Sequence, residues 1–322
     1  MLTPTWQIDV FIYQTVVLIP IYVFILLDFV ISRKKHRSFQ GPYYTLMVSQ
    51  GIADIATISI FSSLVLARYF SFGNLFLYSL RPFMPIFYAN SGPMMFVMRI
   101  VGVFLISTQR YLTVCRYQGT LNYHLNHCPP LLLILFHWFL GTLIYFPALL
   151  HSDATFENEI SLFIMTSGMH AQVFSVTVAA SFATIGVSII VMYSRIAVAM
   201  IRARNVSITG VMSKSSSTRG QDARLTLHVL VLVVFCIICF VYYLGEFFLS
   251  FDEDRTRLKA FRLYYPTVSG NFSFINPIML LTLNRDVQSR ITTVFCGWCY
   301  HPPKVTAMSI IAQRISSKGG LI

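Results

Sequence analysis

The chain has 322 residues, of which 56% are hydrophobic and only 11% charged, and it carries a formal net charge of +12. A typical soluble domain has about 25% charged residues, so this composition excludes an ordinary soluble fold. A bilayer accommodates it, because each helical crossing needs about 20 apolar residues. The basic residues lie in short clusters between apolar runs, which is typical of a membrane protein and argues against nucleic acid as a partner.

Seven apolar runs with short polar connections follow one another along the chain. Each run predicts a helix, because a backbone in hydrocarbon must satisfy its own polar groups. The sequence therefore predicts an all-α membrane protein, a seven-transmembrane helix bundle embedded in the lipid bilayer. The predicted helices span about 8–31, 43–67, 86–110, 129–150, 171–201, 225–250 and 263–283.

The connections differ in charge, and this difference predicts the orientation of the bundle. The 32–42 and 195–224 segments carry many Lys and Arg and almost no acid, whereas most acids lie on the other side. Short basic loops stay in the cytoplasm, so we expect a multi-pass plasma-membrane protein with an extracellular N-terminus. One group on the outer side runs against this rule: Arg255, Arg257, Lys259 and Arg262, beside Asp252, Glu253 and Asp254.

The segment after the seventh helix has apolar residues at helical spacing. It predicts a short amphipathic C-terminal helix over about 285–298, which ends a membrane domain of 1–300 and leaves 301–322 as a cytoplasmic tail. Cys296 and Cys299 lie at the end of this helix, where cysteines are candidates for reversible palmitoylation; the alternative is two unmodified thiols. A zinc site needs four ligands, and no second pair of cysteines lies suitably near Cys296 and Cys299. We therefore predict no metal and no cofactor.

Charged side chains inside a bilayer are costly, so each needs a reason. Asp54 lies midway along the second predicted helix, and Arg99 lies midway along the third, which ends at Gln109-Arg110-Tyr111. At about 1.5 Å per residue, Arg99 lies roughly 16 Å above the cytoplasmic boundary and Asp54 about 18 Å above it. The sequence therefore predicts a buried ion pair between them. The alternatives are that Arg99 faces a wet cavity, binds an acidic ligand or pairs with Glu246.

Four short motifs carry a resemblance to a known family. They are LISTQRY at 105–111, YPTVSG at 265–270, INP at 275–277 and NRD at 284–286. With the seven helices, they resemble the rhodopsin-like G-protein-coupled receptors, and more specifically the nematode serpentine chemoreceptors of the class gamma and class V group. The resemblance covers nearly the whole chain.

The resemblance implies roles for particular residues. Asp54 matches the helix-two aspartate of the receptor core, and Arg110, between Gln109 and Tyr111, matches the arginine that engages the G protein. Asn276 and Pro277 match the hinge of helix seven. The implied function is a chemosensory receptor, not an enzyme, that binds a small-molecule ligand from outside and signals through a heterotrimeric G protein. Asp54, Arg99, Asn276 and Pro277 would form its core switch.

Three features depart from the family pattern. Gln109 replaces the acid that usually precedes the arginine, so the local restraining ion pair is absent. Leu280 stands where a tyrosine usually follows the Asn-Pro pair. No cysteine begins the third helix or lies in the 151–170 loop, so the usual tether is missing. These departures put efficient coupling in question, but not the architecture.

Other interpretations compete with the receptor. Arg110 alone could be a topology signal, and Asp54 could be a buried, hydrogen-bonded polar residue. A secondary transporter would show inverted repeats and paired broken helices, whereas this chain has an odd helix count and no visible repeat. A membrane hydrolase or desaturase needs clustered metal ligands, and the sequence offers only His124 and His127.

The charge asymmetry makes the orientation testable. An epitope tag placed after Met1 should be accessible on intact cells, and a tag within the 205–220 segment only after permeabilisation, because the basic loops stay inside. Antibody staining before and after permeabilisation measures both. Staining of the loop tag on intact cells would contradict the orientation.

Overall fold

The computed structural model describes residues 6–35, 40–70, 73–151, 153–159, 162–208, 216–252, 255–283 and 288. Seven long helices within these ranges form a bundle, and each is built on one of the apolar runs. They are α1 (Trp6–Lys35), α2 (Pro42–Phe70), α4 (Met84–Cys115), α6 (Pro130–Leu149), α7 (Gly168–Ile208), α8 (Ser216–Leu249) and α10 (Tyr265–Leu283).

Six of the described helices are long and apolar enough to cross a membrane by themselves. The remaining long helix, α10, has 19 residues and carries several Ser, Thr and Asn side chains. It packs against α1, α2 and α8 within the bundle. Helix α4 is central, because it contacts α2, α6, α7 and α8. Its inward residues, among them Phe96, Val97 and Ile100, are fully buried and form the main apolar core with α7 and α8.

Two helices are longer than their apolar runs. Helix α7 continues to Ile208 and α8 begins at Ser216, so both reach into the 205–220 segment that the sequence favours as a loop. Hydropathy marks only the part of a helix that lies in hydrocarbon, and the helical backbone continues where Lys, Arg, Ser and Thr replace apolar residues. The predicted helix over about 285–298 lies outside the described residues apart from residue 288.

The connections contain short elements that the sequence did not predict. Helices α3 (Asn74–Ser79), α5 (Thr120–His127) and α9 (Arg255–Arg262) each have eight residues or fewer. Strands β1 (Ala154–Phe156) and β2 (Ile164–Thr166) form an antiparallel hairpin between α6 and α7. The hairpin, α9 and the start of α1 lie at one end of the bundle, which we call the N-terminal end.

An arginine of α2 helps to hold the hairpin against the bundle. Arg68, near the end of α2, donates from Nη2 and Nε to the Leu162 carbonyl at 2.6 and 3.2 Å. Leu162 is fully buried and has a φ of 46°, in the left-handed region that costs energy for a side chain of this size. The burial and the two charge-assisted hydrogen bonds hold this residue in its costly conformation.

A group of hydrogen-bonded residues, which we call the polar joint, connects α2, α4 and α6. It consists of Ser49, His137, Trp138 and the Met98 carbonyl. His137 Nε2 lies 2.8 Å from the Met98 carbonyl, and its Nδ1 lies 2.7 Å from Ser49 Oγ. A carbonyl only accepts, so Nε2 carries the proton and Nδ1 accepts from Ser49. Trp138 Nε1 donates to the same serine oxygen at 3.2 Å. Gly102 brings the α4 backbone close enough for these contacts.

Gly102→Ala should therefore lower the thermal stability of the chain. The new Cβ would collide with Gln50 Oε1 and lie 2.9 Å from His137 Nε2, and such overpacking costs about 1–3 kcal/mol. Gly186→Ala in α7 is the matched control, because nothing lies within 4 Å of its Cβ position. Unfolding of the purified variants in detergent measures both. Equal stability of Gly102→Ala and the wild type would contradict the tight joint.

Candidate functional site

Two opposite charges lie fully buried at the centre of the bundle. Arg99 Nε, from α4, lies 2.7 Å from Asp54 Oδ1, from α2, and neither side chain is more than 1% exposed. The buried ion pair predicted from helical depth is confirmed. The rival partner Glu246 instead accepts from Arg262 Nε at 2.6 Å, near the N-terminal end.

The remaining hydrogen-bonding capacity of the pair is used by α1 and α10. Asp54 Oδ2 accepts from the Tyr22 hydroxyl at 2.7 Å and from Asn276 Nδ2 at 3.3 Å, and Asn276 also donates to Tyr22 at 2.9 Å. Arg99 donates from Nη1 to Ser269 Oγ at 3.4 Å and from Nη2 to the Ser269 carbonyl at 3.3 Å. We call these five residues the charge cluster. It joins four helices through one carboxylate and one guanidinium.

Two aromatic rings enclose the guanidinium. The Arg99 guanidinium carbon lies 4.8 Å from the centre of the Phe96 ring and 4.4 Å from that of Phe272. A ring face attracts a cation, and more strongly where water is excluded. Together with Asp54 and Ser269, the rings replace the hydration that the cation loses on burial.

The structure therefore brings together three of the four residues predicted as a core switch: Asp54, Arg99 and Asn276. Pro277 follows Asn276 inside α10. Sequence reasoning missed Tyr22, Ser269, Phe96 and Phe272. A usable signal existed for Tyr22, because a tyrosine hydroxyl in a buried apolar helix needs a partner. The role of Asp54, Arg99, Asn276 and Pro277 as a switch stays a prediction.

The three residues predicted to engage a G protein, Gln109, Arg110 and Tyr111, lie near the C-terminal end of α4. The Arg110 guanidinium carbon lies 4.4 Å from the centre of the Tyr43 ring of α2. Gln109 is buried and donates to Thr113 Oγ1 at 3.0 Å, whereas Tyr111 is partly exposed. Cys296 and Cys299, the predicted lipidation sites, lie outside the described residues.

A cavity opens at the N-terminal end of the bundle, between α2, α4, α8, α10 and the hairpin. Its empty volume is about 1110 Å³, including the part open to solvent. Apolar and aromatic side chains form most of the wall, with Arg68, Glu246 and Arg262 as the charged groups. Tyr243 and Tyr265 also line it, and both rings contact Phe96, at 5.4 and 5.6 Å between centroids. The cavity and the charge cluster are thus separated by one aromatic layer.

Comparison with protein families gives one match over most of the chain. Residues 11–296 match the family described as Serpentine type 7TM GPCR chemoreceptor Srv. The match confirms the resemblance to serpentine chemoreceptors and the seven-helix fold class. No curated protein matches the chain.

The charge cluster predicts non-additive effects of two substitutions. Arg99→Met and Asp54→Asn should each lower thermal stability and surface expression, because removing one partner of a buried pair costs about 3–5 kcal/mol. The double variant should recover part of the loss, since it leaves no unpaired charge. Arg81→Met, at an exposed arginine outside the cluster, is the control and should behave as wild type. Additive losses in the double variant would contradict the coupling.

Proposed function

The chain belongs to the Srv family of serpentine type 7TM GPCR chemoreceptors, and from this premise we propose that it binds a small molecule in the cavity and signals through a heterotrimeric G protein. The observation that carries the proposal is the order along α4: cavity, aromatic layer, charge cluster and Arg110. The family is a class of receptors and not of enzymes. It favours a receptor over the transporter that the sequence left open.

The cavity has the properties of a small-molecule site. Ligand sites are concave and mostly apolar, with a few polar groups that fix orientation. This cavity has aromatic and aliphatic walls and three charged side chains. Two of its lining residues, Tyr243 and Tyr265, contact Phe96, so a ligand placed there can act on the charge cluster through a single layer.

The aromatic layer offers a route for the signal. Phe96 contacts Tyr243 and Tyr265 on the cavity side, and it stacks on Phe272 at 5.9 Å between centroids. Phe96 and Phe272 are also the two rings that hold the Arg99 guanidinium. A ligand that shifts either tyrosine changes the packing around this cation. It thereby favours one of two arrangements of α4 and α10, which is a population shift.

The opposite end of the bundle suits a partner in the cytoplasm. Several arginines lie near this end: Arg33 in α1, Arg110 in α4, Arg116 directly after α4, and Arg195 and Arg202 in α7. Under the positive-inside rule this end is cytoplasmic, and the cavity therefore faces the cell exterior. We propose a plasma-membrane location, an extracellular N-terminus, a membrane domain of 1–300 and a cytoplasmic tail of 301–322.

Arg110 is the residue that we propose to contact the G protein. It stacks on Tyr43, and a shift of α4 relative to α2 would move the guanidinium off this ring toward the partner. Because Gln109 carries no charge, it cannot form the ion pair that usually restrains this arginine in the family.

A screen of volatile and water-soluble small molecules on cells that express the chain, with G-protein activation as the readout, tests the proposed function. With the first activating compound, Arg110→Ala should reduce the response by about tenfold or more, because it removes charge-assisted hydrogen bonds worth roughly 1.5–3 kcal/mol. Arg116→Ala, six positions along and exposed, is the matched control.

Both variants should reach the wild-type surface level, which antibody staining measures. A normal response from Arg110→Ala at matched surface level would remove the proposed role of this arginine. A silent Arg116→Ala would show that any loss of charge at this end is sufficient, and it would equally count against a specific contact.

A further inference from the structure

We infer that the cavity binds a small carboxylic acid whose remaining body is apolar. The inference rests on the proposed function and names the chemistry of its ligand. Three observations support it: the charge balance of the cavity wall, its excess of hydrogen-bond donors and the composition of its apolar surface.

The charged side chains of the wall do not cancel. Glu246 is 4% exposed and pairs with Arg262 at 2.6 Å, so these two charges neutralise each other. Arg68 donates to the Leu162 carbonyl, and no carboxylate of a described residue lies within ion-pair distance of it. A carbonyl supplies hydrogen-bond acceptance but no negative charge. The wall therefore carries one uncompensated positive charge, and an anion is the complementary ligand.

Hydrogen bonding in the wall favours the same chemistry. Arg262 uses Nε for Glu246 and Nη1 for Thr166 Oγ1 at 3.5 Å, whereas its Nη2 is buried without a hydrogen-bond partner among the described residues. The Tyr242 hydroxyl is likewise buried and has no hydrogen-bond partner among the described residues. Buried donors without acceptors are costly. A ligand oxygen would accept from either group, whereas an ammonium could not bond to Arg262 Nη2 and would be repelled by the uncompensated charge of Arg68.

The rest of the wall sets the body of the ligand. Phe61, Leu64, Val65, Phe163 and Phe174 line the cavity. These side chains offer no polar partner, so they bind a phenyl ring or a short alkyl chain by exclusion of water. The ligand class is therefore an aryl or alkyl carboxylate rather than a zwitterion or a sugar, both of which carry further polar groups into this surface.

The first test measures binding without signalling. The full chain in lipid nanodiscs is heated with 3-phenylpropanoic acid, with its methyl ester and with 3-phenylpropylamine, and with octanoic acid and its ester. Both acids should raise the unfolding midpoint in proportion to the logarithm of their concentration, because they bind only the folded state. The esters and the amine should not. The inference is overturned if the esters or the amine stabilise the chain as much as the acids do. It is also overturned if neither acid stabilises the chain.

The second test uses variants of the wall. Tyr242→Phe removes a buried hydroxyl that has no hydrogen-bond partner among the residues that the structure describes. It should therefore raise the midpoint of the ligand-free chain and yet weaken binding of the acids by about tenfold. A purely structural role would not move these two quantities in opposite directions. Arg68→Gln should abolish the acid effect and Arg68→Lys should retain part of it. Arg81→Gln, which changes an exposed arginine near the same end, should leave it unchanged.

The variants also protect the test against misfolding. If Arg68→Gln releases the hairpin and unfolds, Tyr242→Phe still decides the question, because it keeps the ring and its packing. Wild-type affinity of Tyr242→Phe for both acids overturns the inference.

A G-protein readout on the same compounds separates this inference from the proposed function. Acids that stabilise the chain but fail to activate a G protein support the carboxylate site and contradict the proposed signalling. Activation by an ester or an amine, with no binding of the acids, supports the signalling and overturns the carboxylate site.

Discussion

The ion pair between Asp54 and Arg99 is the constraint on which the arrangement of the bundle depends. Neither charge is tolerable alone at this depth, because hydrocarbon and packed protein do not replace the lost hydration. The pair requires α2 and α4 to meet at one height, and the remaining lone pairs and donors fix α1 and α10 through Tyr22, Asn276 and Ser269. Such a pair adds little net stability over apolar packing, but it penalises every packing in which the partners miss each other.

Helix α4 connects the features of the bundle that bear on the proposed receptor. Its first turns line the cavity, its middle holds Phe96 and Arg99, and Arg110 lies near its far end. From Phe96 to Arg110 the helix rises about 21 Å as one rigid element. A small rotation at the cavity therefore reaches the far end without a chain of separate side-chain movements. The departures from the family pattern at Gln109 and Leu280 fall at that far end, and they leave the central cluster intact.

Much of the fold could be predicted from the sequence, because the apolar runs and the cost of buried charge act locally. Asp54 and Arg99 could be matched by counting helical rise alone. The partners of the pair could not be predicted in the same way: Ser269 and Phe272 depend on how α10 is rotated about its axis. The hairpin strands have only three residues each, too few for a periodic signal. The cavity arises between elements far apart in the sequence, so no single segment encodes it.

The hairpin at the mouth of the cavity has a kinetic consequence. The 151–170 segment contains no cysteine, so no disulfide joins it to α4. Its links to the bundle include the Arg68 bonds to Leu162, the Arg262 bond to Thr166, the apolar packing of Phe156 and Leu162, and a partly exposed 2.7 Å ion pair between Lys259 and Glu157. Dissolved salt screens an exposed pair of this kind. The escape rate of a bound molecule is then governed by how often these reversible links open, and it increases with ionic strength even where equilibrium contacts inside the cavity are unchanged.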